Sequence, residues 1–248
     1  MDLATTVSLP VVRGPVPLAK SMSAIDRLSG GRLTVCVGPG SSAQDYAAVG
    51  IPFDERWKRL DESIQTLRAL WNREATVFKG NFYDTEGIVL EPFPTQRSGP
   101  PIWVGSWGSK AGLQRVARLA DGWLASGYNT TPELFAQGWQ QLQDFLVAAG
   151  KEPSSFPNAL ATMWFYVAEK ESDAERILNE VLAPATKRPV AELRERLPIG
   201  STQDCAKKLA AYQKVGVQRV YLWPLADELE QIKMVMEQVV PLIGDGRK

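Results

Sequence analysis

The stretch from Pro100 to Gly127, PPIWVGSWGSKAGLQRVARLADGWLASG, constrains the fold more than any other part of the chain. Ile102-Trp103-Val104 is a short apolar run entered through two prolines, the pattern of a strand buried on both faces. Gly105-Ser106-Trp107-Gly108-Ser109 follows as a turn, and Leu113, Val116, Ala117 and Ala120 then recur at helical spacing. Ser109 stands where that helix needs an N-cap. Trp123-Leu124-Ala125 reads as a second strand, ending in Ser126-Gly127. Glycine and small hydroxyl residues between a strand and a helix N-terminus suit an anion, since the backbone can approach closely and free N–H groups and the helix dipole point at it. The same residues also serve as a plain connection that needs glycine for its turn.

The rest of the chain repeats this alternation. Strands are expected over Leu3–Leu9, Leu33–Val37, Leu160–Ala168 and Val217–Trp223. Helices are expected from Leu18 to Leu28, from Asp54 as N-cap to Trp71, and from Thr131 to Gly150. Further helices are expected from Ser172 to Leu182, over Ala191–Leu197, from Thr202 to Val215 and from Leu229 to Ile243. Between 75 and 93 the pattern breaks into Thr76-Val77-Phe78, Phe82-Tyr83 and Ile88-Val89-Leu90, read as small strands or a hairpin outside the main sheet. Six strand–helix units without a linker imply one α/β domain over residues 1–248 with a parallel sheet, either open and doubly wound or closed as a barrel. The small-residue loops fall at strand carboxyl ends, where both architectures place ligands.

Composition narrows the chemistry. Lys and Arg number 28 and Asp and Glu 28, so no net field gathers nucleic acid or an anionic membrane. Histidine is absent, which removes Ser-His-Asp and Cys-His catalysis and any histidine-ligated metal. Cys36 and Cys205 stand far apart in apolar or helical surroundings, and a reduced, cytoplasmic setting is expected.

Leu28-Ser29-Gly30-Gly31-Arg32, Val37-Gly38-Pro39-Gly40 and Gly50-Ile51-Pro52-Phe53-Asp54-Glu55-Arg56 resemble the bacterial luciferase-like monooxygenase superfamily. Gly80-Asn81-Phe82-Tyr83, Pro92-Phe93-Pro94, Pro100 to Gly105 and Ala120-Asp121-Gly122-Trp123 continue the resemblance in order and spacing. It implies a TIM barrel that binds FMN or a deazaflavin at the carboxyl ends of its strands, acting as an oxidoreductase on a small organic substrate, as a homodimer. By position it implies a phosphate turn at Gly105, Ser106, Gly108 and Ser109, with Ser126 and Gly127 in the neighbouring turn. Thr6, Val7 and Ser8 match a strand end that passes beside the flavin ring, and Gly38 lines the next one. Members usually carry two strand–helix units before the position matched by Met1, so six of eight units are expected here. The alternative expectation is a non-catalytic, N-terminally shortened member: a dimeric scaffold or weak flavin binder.

Other residues carry structural expectations. Arg32 is assigned to a salt bridge, Asp54 and Glu55 to helix capping, Asp121 to a structural role, and Trp103 and Trp123 to the core. Trp107, Tyr128 and Asn129 are the side chains beside the two turns with reason to touch a ligand.

Overall fold

The computed structural model describes residues 1–74 and 77–244 and divides into two compact units. Unit 1 comprises Met1–Gly105 and Gln114–Trp123, and unit 2 comprises Ser106–Leu113 and Leu124–Lys248. Ala75 and Thr76, which belong to the expected hairpin, lie outside the described residues.

Unit 1 opens with β1 (Leu3–Ala4), α1 (Pro10–Arg13), α2 (Pro15–Ser29), β2 (Leu33–Val37) and α3 (Ala43–Ala48). It continues with α4 (Arg56–Trp71) and β3 (Ile102–Gly105). β1 pairs parallel with β2, Leu3 opposite Leu33, and β2 pairs parallel with β3, Cys36 opposite Trp103. The expected strand Leu3–Leu9 is therefore only two residues long, with a separate bridge from Ser8 to Val37. Pro10, expected in a loop, starts α1, and Pro15 starts α2, because proline at the first helical position loses no hydrogen bond. Gly30, at φ +68°, closes α2. Asp54 is not the N-cap of α4; it sits in a 3₁₀ turn, Phe53–Glu55, that precedes the helix. The buried stripe of α4 is Leu60, Ile64, Leu67, Leu70 and Trp71, whereas Trp57 is half-buried under the Arg115 guanidinium.

Carboxylates satisfy several backbone N–H groups in unit 1. Asp121 accepts from the Ile102 backbone N–H at 2.8 Å and from Arg68 at 3.0 Å, as its structural assignment required. Gly122 follows because a Cβ there would meet the Trp103 ring at 2.5 Å, and Trp103 and Trp123 are both core. Asp26, fully buried, accepts from the Gln96 backbone at 3.0 Å and from its amide at 2.8 Å. Among the described residues Arg32 makes no salt bridge; it donates to the backbone carbonyls of Ser29 and Met1.

Between 77 and 93 the expected hairpin is reduced to one antiparallel bridge, Lys79 to Asp84, and Ile88-Val89-Leu90 forms no strand. Glu62 of α4 explains why: its carboxylate accepts from the Asn81 and Phe82 backbone N–H groups at 3.0 and 2.8 Å, in place of a strand partner. A Cβ on Gly80 would lie 2.3 Å from Glu62 Oε2.

Unit 2 holds the start of α5 (Lys110–Leu119) and most of β4 (Gly122–Ser126), then α6 (Pro132–Ala148) and β5 (Asn158–Val167). Helix α7 (Glu171–Arg176) passes through a π-helical segment, Ile177–Leu182, into α8 (Ala183–Thr186). Next come α9 (Val190–Arg196), β6 (Ile199–Gly200), α10 (Thr202–Lys214) and β7 (Val220–Pro224). The last helix is α11 (Glu228–Met234), a π segment and α12 (Val240–Ile243). Thr131 caps α6 and Ser201 caps α10 through their side chains. β5 pairs parallel with both β6 and β7. β6 raises the strand count among the described residues to seven where six were expected; two residues between Pro198 and Ser201 are too few to show alternation. Among the described residues no helix is long and apolar enough to cross a membrane.

Burial raises the Glu62 pKa, but the N–H groups of Phe82 and Asn81 outweigh it and hold the carboxyl below its ordinary value. A depressed folded-state pKa stabilises above the unfolded value and is lost as pH falls through the folded one. Glu62→Gln is expected to be less stable than the wild type at pH 7, with the difference in urea midpoint shrinking below about pH 4. A difference independent of pH would contradict the role given to the ionised carboxylate.

Candidate functional site

The sequence-expected residues of unit 1 gather around Val7. The Thr6–Val7 peptide is cis, and Val7 keeps 38% of its surface exposed. Ser8 N–H donates to the Cys36 carbonyl at 2.8 Å, and Gly38 N–H donates back to the Ser8 carbonyl at 3.1 Å. A Cβ on Gly38 would stand 3.2 Å from Val7 Cγ2, and one on Gly105 would stand 3.5 Å from Val7 Cγ1 and 3.4 Å from the Val37 carbonyl. Thr5, which sequence reasoning left out, locks this strand end by donating its hydroxyl to the Cys36 carbonyl at 2.7 Å and accepting from Cys36 N–H at 2.9 Å.

In unit 2 the turn Ser106–Ser109 and the end of β4 are joined by Ser106 N–H donating to the Leu124 carbonyl at 3.0 Å. The Ser106 hydroxyl is buried and accepts from Gly108 N–H at 3.3 Å. Gly108 sits at φ +91° with open space where a Cβ would be. Ser109 caps α5 as expected, its hydroxyl accepting from Gly112 N–H at 3.2 Å. Gly112 is a second residue that sequence reasoning missed. A Cβ there would lie 2.3 Å from Ser106 Oγ and 3.0 Å from Ser109 Oγ, so only glycine lets the first turn of α5 close on both hydroxyls. Its signal was a glycine inside an otherwise regular helical pattern.

This arrangement fits a phosphate. The first N–H groups of a helix lack intrahelical partners, two hydroxyls converge beside them, and Ser106–Gly112 contains one cation, Lys110, and no acid. Trp107 projects from the turn with 64% of its surface exposed, an aromatic face with no core function.

The second turn is equally tight. A Cβ on Gly127 would meet Met163 Cε at 2.9 Å and its Cα at 3.1 Å. The Ser126 hydroxyl accepts from the Asn129 amide at 3.0 Å. Asn129 in turn accepts from Arg188, and the Tyr128 carbonyl accepts from Arg196 at 3.1 Å. The Asn129 side chain and the Tyr128 carbonyl thus belong to the turn's own scaffold, and both residues are half-buried.

A cavity of about 730 Å³ elsewhere in unit 2 includes none of these residues. Its lining carries five carboxylates (Glu133, Glu169, Glu171, Glu195 and Asp204) against Arg194, Lys207 and Lys208, a balance unsuited to a phosphate. Among the described residues no cluster of three metal-ligating side chains occurs.

The family model described as "Luciferase-like monooxygenase" matches residues 1–196. The chain belongs to the luciferase-like monooxygenase family. An uncharacterized protein of Mycobacterium tuberculosis is 35% identical over 150 residues, covering 60% of this chain and 52% of its own length. The FMNH(2)-dependent dimethylsulfone monooxygenase of Pseudomonas putida is 30% identical over 194 residues, covering 74% of this chain and 51% of its own. The chain thus spans about half the length of these curated relatives. An F420-dependent secondary alcohol dehydrogenase, solved with an F420-acetone adduct, superposes with a TM-score of 0.85 at 18% identity, over 99% of this chain and 80% of that one. At that identity the likeness speaks for the fold: parallel α/β, of the TIM-barrel type found in luciferase-like proteins.

Two expectations follow for this luciferase-like chain. Gly112→Ala must displace Ser106 or Ser109 and is expected to destabilise by about 1–3 kcal/mol, measured by urea unfolding; a neutral substitution would contradict the close approach. Burial pushes both cysteine thiols up to about 12, so neither is expected to react with a thiol reagent at pH 8 until the chain unfolds. Labelling of either in the folded protein would contradict that burial.

Proposed function

We propose that this chain is a flavin- or deazaflavin-dependent oxidoreductase whose cofactor phosphate rests in the Ser106–Ser109 turn. The observation that carries this reading is the convergence of the Ser106 and Ser109 hydroxyls on the start of α5, made possible by Gly112. Ser106 would orient the phosphate, Gly108 would let the backbone approach it, and the N-terminal N–H groups of α5 would offset its charge. Trp107 would cover the phosphate tail or ring, and Ser126 and Gly127 would shape the adjoining turn.

In the same reading Thr6, Val7, Ser8, Gly38 and Gly105 contact the ring, with the exposed Val7 side chain offering an apolar surface. The names of two similar proteins motivate the pair of cofactors: one is FMNH(2)-dependent and the other F420-dependent. When bound, such a cofactor supplies hydride transfer or the reaction with oxygen, and the protein supplies binding, orientation and exclusion of water. In this reading the residues named here bind and position the cofactor. Assignment of residues 1–248 to one luciferase-like domain, a homodimeric state and a cytoplasmic setting belong to this proposal. The last accords with two buried cysteines that form no disulfide.

Titration of the purified chain with FMN and, separately, with F420, followed by tryptophan fluorescence, tests the reading. Saturable micromolar binding of one of them is expected, with Trp107→Ala removing part of the quenching. A folded chain that binds neither would overturn the enzyme reading and favour a non-catalytic family member.

A further inference from the structure

Apart from its phosphate turn, unit 2 carries a row of aromatic side chains that packing alone does not explain. β5 shifts register between Leu160 and Met163, and Thr162 within the shift has φ +54°. A β-branched residue rarely enters that region, and such conformations gather at functional sites. Beyond the shift Trp164 stands directly opposite Trp223 of β7, so the two rings share one face of the ladder. Their centroids are 6.5 Å apart at 72°, and the Tyr128 ring centroid lies 4.9 Å from that of Trp164.

These rings are not core. Phe135 and Phe165 of the same unit are 1% exposed, whereas Trp223 is 36% exposed and Tyr128 and Trp164 are half-buried. The rim is cationic. Arg188 lies over the Tyr128 ring at 5.1 Å, and Arg188 and Arg196 share one carboxylate, Glu192, leaving one positive charge among the three. Arg196 Nε is a buried donor with no acceptor among the described residues.

We propose that Tyr128, Trp164 and Trp223, with Arg188 at the rim, form a recognition face for a planar aromatic molecule bearing an anionic group. Trp164 and Trp223, set at 72° to one another, leave a face and an edge open to a flat guest, with the Tyr128 ring tilted by 38° against Trp164. The net positive charge that remains when Arg188 and Arg196 share Glu192 matches a carboxylate or similar anion and distinguishes it from a neutral ring. Calling the guest a substrate rests on the cofactor reading above; its binding does not. The register shift at Thr162 is what sets Trp164 beside Trp223, so the strained residue has a definable task.

The test is calorimetric titration with three probes: 2-naphthoate, neutral 2-naphthalenemethanol and non-planar cyclohexanecarboxylate. The naphthoate is expected to bind at one site, about tenfold more tightly than cyclohexanecarboxylate. Trp164→Leu and Trp223→Leu should each weaken it by about tenfold, Trp164→Phe should restore most of the loss, and Arg188→Gln should weaken the naphthoate but not the alcohol. Circular dichroism shows which variants are folded, and the probe comparison on the wild-type chain needs none of them. Equal affinity for naphthoate and cyclohexanecarboxylate, absence of saturation, or full affinity in both folded leucine variants would overturn the proposal. FMN and F420 titrations of the same samples separate the two readings. A chain that binds a cofactor but not naphthoate fails this inference alone, and one that binds naphthoate but neither cofactor fails the cofactor reading alone.

Discussion

The start of α5 can reach the Ser106 hydroxyl only because residue 112 has no side chain, and the candidate phosphate site depends on that approach. The turn itself contains nothing unusual for a strand–helix connection: two glycines, two serines and an exposed tryptophan. A cradle results because Ser106 is pinned by the Leu124 carbonyl on one side and meets Gly112 on the other, while Ser109 caps the helix with its own hydroxyl. Hydroxyls and helix N–H groups fixed in this way need no reorganisation when an anion arrives, which is the source of affinity at such sites.

The acids of unit 1 act differently from catalytic acids. Asp121, Asp26 and Glu62 each accept from backbone N–H groups, at Ile102, at Gln96, and at Asn81 and Phe82. Each substitutes for a secondary-structure partner where a strand begins or a loop must be held, and a buried or loop N–H left unpaired would be costly. In the proposed reading the chain's own residues contribute binding geometry, and these carboxylates serve the fold. That division of labour is the one expected where a cofactor carries the reaction.

Much of this was legible in the sequence where local patterning and tertiary packing agree. The strand, turn, helix and strand between Pro100 and Gly127, the caps at Ser109 and Thr131, and the buried Trp103 and Trp123 all follow from spacing and capping chemistry. What escaped was set at a distance. Gly112 looks like a weak helix former until Ser106 is placed against it. Glu62 looks like a surface acid until the 80–83 loop folds onto it. β6 is two residues long and exists only because Tyr166 and Val167 are there to pair with it. Thr162, a good strand former, gives no hint that the strand shifts register around it. Family resemblance supplied the expected cofactor positions, and the geometry supplied the reasons for Gly38, Gly105 and Gly127, each pressed against a named neighbour.

The most direct test of the central claim compares a cofactor with its phosphate-free counterpart, FMN with riboflavin, or F420 with its deazaflavin nucleoside, on the wild-type chain and on Gly112→Ala. If the Ser106–Ser109 turn holds the phosphate, the phosphorylated form should bind about tenfold or more tightly, and a folded Gly112→Ala should lose that preference while keeping its affinity for the phosphate-free form. Equal binding of the two forms by the wild-type chain, or an undiminished preference in Gly112→Ala, would contradict the account.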